Sequence, residues 1–162
     1  MEAYKSYITE AGFEVLKSEL DQLWKIDRPA VVQAVAEAAA MGDRSENAEY
    51  IYGRKRMREI DIRIAFLRKR LRSVEVRPVI APAEEGKVVF GAYLKLGLPN
   101  GTSMVYQLVG SDETDLKNGK ISVASPIGDA LMYKKLGDKV EVNTPGGLRV
   151  FHIQAVQYKP YH

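Results

Sequence analysis

A chain of 162 residues with 46% hydrophobic side chains and no cysteine has room for one domain or two small ones, and it excludes disulfides and thiolate metal sites. No run approaches the roughly 20 apolar residues of a membrane span, and the polar N-terminus lacks the apolar stretch of a signal peptide, so a cytoplasmic protein without membrane contact is expected. The net charge of +3 conceals opposite halves: residues 1–50 hold five basic and ten acidic side chains, whereas residues 54–72 hold nine basic and two acidic ones.

The first predicted helix begins after Thr9, an N-cap residue followed by Glu10 where the helix dipole favours an anion. Phe13, Leu16, Leu20 and Leu23 recur at spacings of three and four and line one face. Arg28-Pro29 interrupts the pattern, and a bend or short break is expected there, with Asp27 capping a restarted helix. The stretch Ala30–Ala40 is mostly Ala and Val, which lets two backbones approach closely. Gly42 reads as the residue that stops the helix near Met41.

A second helix is predicted from about Ser45 to Ser73, with Met57, Ile60, Ile64, Leu67, Leu71 and Val74 on its apolar face. The connection between the two helices is so short that they must fold back as an antiparallel coiled-coil hairpin. Opposite charges on the two helices favour that pairing, and the basic run of the second also attracts phosphate backbones. Gly53 lies inside this helix, where close packing is one reason for it.

Two prolines mark Val76–Glu85 as a linker, giving a hairpin over residues 1–75, a linker over 76–85 and a second domain over 86–162. In that domain Lys87–Phe90 and Ala92–Leu96 look like strands. Asn100-Gly101 turns a hairpin between Tyr93–Leu98 and Thr102–Val109. Ile121-Ser122-Val123 is a further strand. Ser125-Pro126 opens a helix that runs to about Gly137, and Lys139–Asn143 pairs with Leu148–Tyr158. The fold class is α+β: a long helical hairpin, then a small antiparallel sheet crossed by one helix.

The hairpin tip, Gly42-Asp43-Arg44-Ser45-Glu46-Asn47, carries the chemistry. Asp43 and Glu46 have capping-box spacing, with Ser45 a rival cap. They are also a pair of hard oxygen donors for Mg²⁺, too few to hold the ion alone, so a partner would complete the site. Tyr50 and Tyr52 stand close enough to stack on an unpaired base. Trp24 and Tyr93 read as packing residues, and His152 as a sheet residue.

These motifs are specific. The tip with Leu23-Trp24, Arg28-Pro29 and Lys55–Asp61, together with Ile121–Ile127, Gly137-Asp138 and Asn143–Gly147, resembles the bacterial Gre transcript-cleavage factors, closest to the GreB type because Arg44 stands in the tip. The resemblance covers the whole chain. It implies an FKBP-like second domain and an accessory factor, monomeric and not itself an enzyme. Such a factor enters the secondary channel of a backtracked RNA polymerase and stimulates cleavage of the nascent RNA 3′ end. It further implies that Asp43 and Glu46 share Mg²⁺ with the polymerase without binding it tightly alone. Arg54, Lys55, Arg56 and Arg58 would meet the extruded RNA, and the Ser125-Pro126 region would grip the channel rim. Ala124 and Gly128-Asp129 depart from the family pattern. The alternatives are a non-cleaving channel binder, a prolyl-isomerase or peptide-binding module, and a plain RNA-binding coiled coil.

Overall fold

The computed structural model describes residues 6–42 and 46–161. The chain divides into two compact units, Phe13–Ser73 and the segment up to Gly12 together with the chain from Val74 onward. This differs from a hairpin over 1–75 and a linker over 76–85. β1 (Tyr7–Ile8) pairs in parallel with β2 (Glu75–Val76), and Arg77 N–H donates to Ile8 O at 2.8 Å. Further along the same segment, Val79 fills the space where a Cβ on Gly91 would fall, 2.4 Å from its Cγ2.

The first unit holds the helical hairpin. Helix α1 (Glu10–Gln22) starts as expected, with Gly12 N–H donating to the Thr9 hydroxyl at 3.0 Å. Glu113 fastens this start: its carboxylate accepts from Thr9 N–H at 2.9 Å, from Gly110 N–H at 2.8 Å and from the Thr9 hydroxyl. No break occurs at Pro29. A π-helical turn (Leu23–Asp27) joins α1 to α2 (Arg28–Ala40), and Asp27 keeps helical angles without capping. The seam explains the wide turn. Leu16, Leu20, Leu23, Asp27, Val31, Val35 and Ala38 are all buried or half-buried, spaced 4, 3, 4, 4, 4 and 3. One of those fours stands where a heptad has a three, and a turn one residue wider absorbs the surplus. It also accommodates a proline that cannot donate to the ladder.

Helix α3 (Ala48–Ser73) runs antiparallel to α2, burying Gly53, Ile60, Ile64 and Leu67. An ideal Cβ on Gly53 would lie 2.7 Å from Val35 Cγ2, so close packing is the reason for that glycine. Arg63 grips Glu19 through two bonds, 2.5 and 2.8 Å, and holds its carboxyl below the ordinary range. Arg28 reverses the charge pattern by bonding Asp61 at 2.8 Å. Trp24 is not a core residue. It stays 48% exposed, with the Arg28 and Arg68 guanidiniums 5.7 and 4.8 Å from its ring.

The second unit is built on a five-stranded sheet of order β5-β4-β3-β7-β6: β3 (Tyr93–Gly97), β4 (Ser103–Val109), β5 (Lys120–Ser122), β6 (Lys139–Thr144) and β7 (Gly147–Gln157). It is antiparallel with one departure: β5 joins β4 in parallel. Two short 3₁₀ turns between them carry the chain back so that β5 lies beside the last residues of β4, Gln107–Val109. Lys87–Phe90 is not a strand of this sheet. Val88 bonds the backbone at Tyr133 and Lys134 instead, and this same pairing stops helix α4 (Pro126–Leu131) short of Gly137. Leu94, Leu96, Leu108, Leu131, Phe151 and Ile153 form the centre of the core. No helix among the described residues is long and apolar enough to cross a membrane.

Candidate functional site

Among the described residues beside the hairpin tip, Asn47 bonds both helix ends. The Asn47 carbonyl oxygen accepts from Tyr50 N–H at 3.1 Å, which makes Asn47 the N-cap of α3. Its amide nitrogen donates to Ala38 O at 2.7 Å, across the hairpin. A single residue thus supplies an acceptor to an N-terminal donor of one helix and a second donor to a last-turn carbonyl of the other, Ala38 O, which also accepts from Met41 N–H at 3.1 Å. Gly42 leaves α2 at φ +144°, a backbone conformation that favours glycine.

This settles one side of the capping question. With Asn47 as the cap, Glu46 precedes it and does not occupy the N3 position of a capping box; Tyr50 does. Glu46 is exposed. Asp43 and Ser45 lie outside the described residues, so the pairing of Asp43 with Glu46 does too.

Arg54, Lys55 and Arg58 are exposed and Arg56 is half-buried, its guanidinium 3.7 Å from Glu59. Successive positions turn by about 100° on a helix, so these cations fan around α3 and do not form one stripe. Arg56 and Tyr52 share a face, where they border a groove of about 560 Å³ floored by Ala30, Ala34, Ala38 and Gly53. Tyr52 is 70% exposed and open to a planar partner.

Ser125 and Pro126 belong to the other compact unit. The Ser125 hydroxyl donates to Ser122 O at 2.6 Å and accepts from Gly128 N–H at 3.1 Å, capping α4. Gly128 is required there, since a Cβ would fall 1.9 Å from Ser122 O. Pro126 is exposed beside an apolar depression of about 310 Å³ that Leu116, Ile127 and Pro145 also line.

Two family descriptions match this chain: "Transcription elongation factor, N-terminal" over residues 6–76 and "Transcription elongation factor, GreA/GreB, C-term" over residues 83–158. The chain belongs to the GreA/GreB family of transcription elongation factors. Among its relatives in that family, the transcription elongation factor GreB of Haemophilus ducreyi is 49% identical over 156 residues, covering 96% of each chain. That of Yersinia pestis is 48% identical, covering 98% of this chain and 92% of its own. That of Pseudomonas aeruginosa is also 48% identical, over 94% of this chain and 90% of its own.

For this GreA/GreB chain, the residue that sequence reasoning missed is Asn47. Its signal was present: Asn is a strong N-cap type and stands three residues before Tyr50. Asp43 and Ser45, equally good cap types, obscured it.

Proposed function

We propose that this elongation factor enters the secondary channel of RNA polymerase and stimulates the polymerase's own cleavage of backtracked nascent RNA. The observation that carries the reading is the cap at Asn47, which leaves the Glu46 carboxylate exposed at the tip and not committed to a capping box. An exposed carboxylate is a hard oxygen donor, chemically suited to Mg²⁺, and with Asp43 it would contribute two ligands to an ion held chiefly by the polymerase. That ion supplies an acidified water for phosphodiester hydrolysis. The chain's own part is to bring Glu46 and Asp43 to the ion on a stiff hairpin whose two helix ends Asn47 ties together.

Arg54, Lys55, Arg56 and Arg58 spread positive charge around the helix just behind the tip, suited to phosphates approaching from more than one side. Exposed Tyr52 offers a stacking surface beside Arg56. In the other unit, Pro126 and the apolar depression next to it form the surface that would seat on the channel rim, with Ser125 holding the turn. The factor acts as a cytoplasmic monomer and carries out no chemistry away from the polymerase.

The test uses the full chain on a stalled, backtracked elongation complex. Asp43→Asn and Glu46→Gln are each expected to slow stimulated RNA shortening by about 100-fold or more, while affinity for the polymerase stays within a few-fold. Undiminished shortening by both variants refutes the proposal. Tight polymerase binding without any shortening by the natural chain would favour a non-cleaving channel binder instead.

A further inference from the structure

Beside the buried seam, the hairpin carries a second row of side chains that the tip chemistry does not use. On α3, Asp61, Ala65, Arg68 and Arg72 follow one another at spacings of four, three and four, which sets them on one face. Two contacts join this row to the first helix: Arg28 bonds Asp61 at 2.8 Å, and the Arg68 guanidinium lies 4.8 Å from the centre of the Trp24 ring. Arg28 also approaches that ring, at 5.7 Å. Arg28 is half-buried, and the other five residues are exposed.

The charge left over on this face is positive. The nearby carboxylates already have cations: Asp61 has Arg28, and Asp21 has Lys25 at 3.8 Å. Among the described residues no carboxylate pairs with Arg68 or Arg72. A guanidinium held over an aromatic ring loses little further freedom on binding, and its planar fork of N–H donors fits a carboxylate bidentately. Arg68 and Arg72 stand one helical turn apart, about 5–6 Å between Cβ atoms, the same spacing as two acidic side chains one turn apart on another helix. A clasp between the two helices of the hairpin would account for Arg68 over Trp24. It does not account for Arg72, nor for an indole that stays 48% exposed. Tryptophan and arginine together are the residue types that dominate protein-binding hot spots.

Phosphates and carboxylates both suit a pair of arginines. A nucleic acid would also bring bases that need a ring to stack on, and the Trp24 ring is already engaged by two guanidiniums. A protein segment makes no such demand. We propose that Trp24, Arg68 and Arg72 dock an acidic segment of the RNA polymerase, with its carboxylates on the two guanidiniums and an apolar side chain against the exposed indole. The inference rests on the reading that the hairpin enters the polymerase. Arg68 lies ten residues beyond Arg58, about 15 Å along α3, so this contact grips the shaft of the hairpin and is separate from the cations behind the tip.

The experiment measures equilibrium binding of the full chain to RNA polymerase and, separately, to a free single-stranded RNA, together with RNA shortening as a function of factor concentration. Arg68→Gln is expected to weaken polymerase binding about tenfold through the lost charge-assisted pair. Arg68→Lys keeps the charge but loses the fork, and should weaken it about threefold. Trp24→Phe keeps a ring under Arg68 and should bind within about threefold of the natural chain. Lys69→Gln removes the same unit of charge from the adjoining face and should bind within about twofold. Because the contact docks the hairpin and takes no part in the chemistry, Arg68→Gln should raise the factor concentration for half-maximal RNA shortening about tenfold and leave the saturated rate unchanged. Equal thermal melting of the variants excludes a folding defect. The proposal is overturned if Arg68→Gln binds the polymerase as the natural chain does, or if Lys69→Gln weakens binding equally, which would reduce the effect to general attraction of charge. It is also overturned if free RNA loses as much affinity as the polymerase does, which would assign the face to nucleic acid. A natural chain that does not bind the polymerase overturns the underlying reading as well, whereas a natural chain that binds and shortens RNA beside an unaffected Arg68→Gln overturns this inference alone.

Discussion

Replacing Asn47 dissects the tip, because its amide makes two separable bonds. Asn47→Ala removes the cap on Tyr50 N–H, worth about 1 kcal/mol. It also removes the 2.7 Å bond to Ala38 O, worth a further net amount of about 1 kcal/mol. The combined loss of about 2 kcal/mol is roughly a 30-fold change in a local opening equilibrium. It should stay local, since the nearby seam is made of small residues, Val35, Ala38 and Gly53, that hold the tip half with little buried area. Hydrogen exchange reads this directly. The Tyr50 and Ile51 amides should exchange about 30-fold faster in Asn47→Ala, with Ile64 and Leu67 unchanged. Asn47→Asp keeps an acceptor and places a favourable charge at the helix start, but it cannot donate to Ala38 O. It should show only the smaller effect, about fivefold. If neither variant altered exchange at Tyr50, the bracket would hold nothing. If Asp behaved like Ala, the cap would have no share in it.

Two further perturbations test the packing and the charges of the hairpin. Gly53→Ala in an open helix would stabilise by about 1 kcal/mol. Here the new Cβ meets Val35 Cγ2 at 2.7 Å, and a β-branched neighbour on a helix has one strongly preferred rotamer. Overpacking of about 1–3 kcal/mol should outweigh the propensity gain, so urea denaturation should show a net loss of about 1 kcal/mol, and a gain in stability would contradict the contact. Glu19 has its pKa lowered, first by the Arg63 hydrogen bond. A lowered folded pKa means stabilisation that is present above the ordinary carboxylate range and lost as pH falls through the folded value. Both side chains are more than a third exposed, 36% for Glu19 and 44% for Arg63, so solvent screening limits the effect to about 0.5 kcal/mol. Glu19→Gln should therefore lower stability slightly at neutral pH, and the difference should shrink progressively as pH falls below the ordinary carboxylate range; a difference that did not shrink in acid would assign the loss to packing.

Local patterns made much of this protein readable in advance. The three-and-four spacing of Leu16, Leu23, Ile60, Ile64 and Leu67 marked a seam that the structure buries. Thr9, Gly42 and Ser125 are residue types whose short-range chemistry starts or stops a helix whatever surrounds it, and each does so here. The hairpin at Asn100-Gly101 and the last pair of strands follow from turn residues in the same way. The basic residues behind the tip were legible by type, but their fanning around α3 follows from helix geometry rather than from composition.

Other features depended on partners distant along the chain, which no local pattern encodes. Pro29 announced a bend or a short break, and a wide turn just before it, fitting α2 to the α3 seam, kept the helix continuous. The Lys87–Phe90 segment had strand character, but its backbone found Tyr133 and Lys134 and shortened α4 in doing so. Residues 76–85 read as linker, yet the chain at Glu75–Arg77 bonds the strand Tyr7–Ile8. Three residues near the tip had the chemistry of a cap, and the short reach from Asn47 to Ala38 identified the one that holds the two helix ends together. A chain's own sequence sets which bonds each residue is able to make. Which of them form is decided by the neighbours that folding brings within about 3 Å, where hydrogen bonds exist at all.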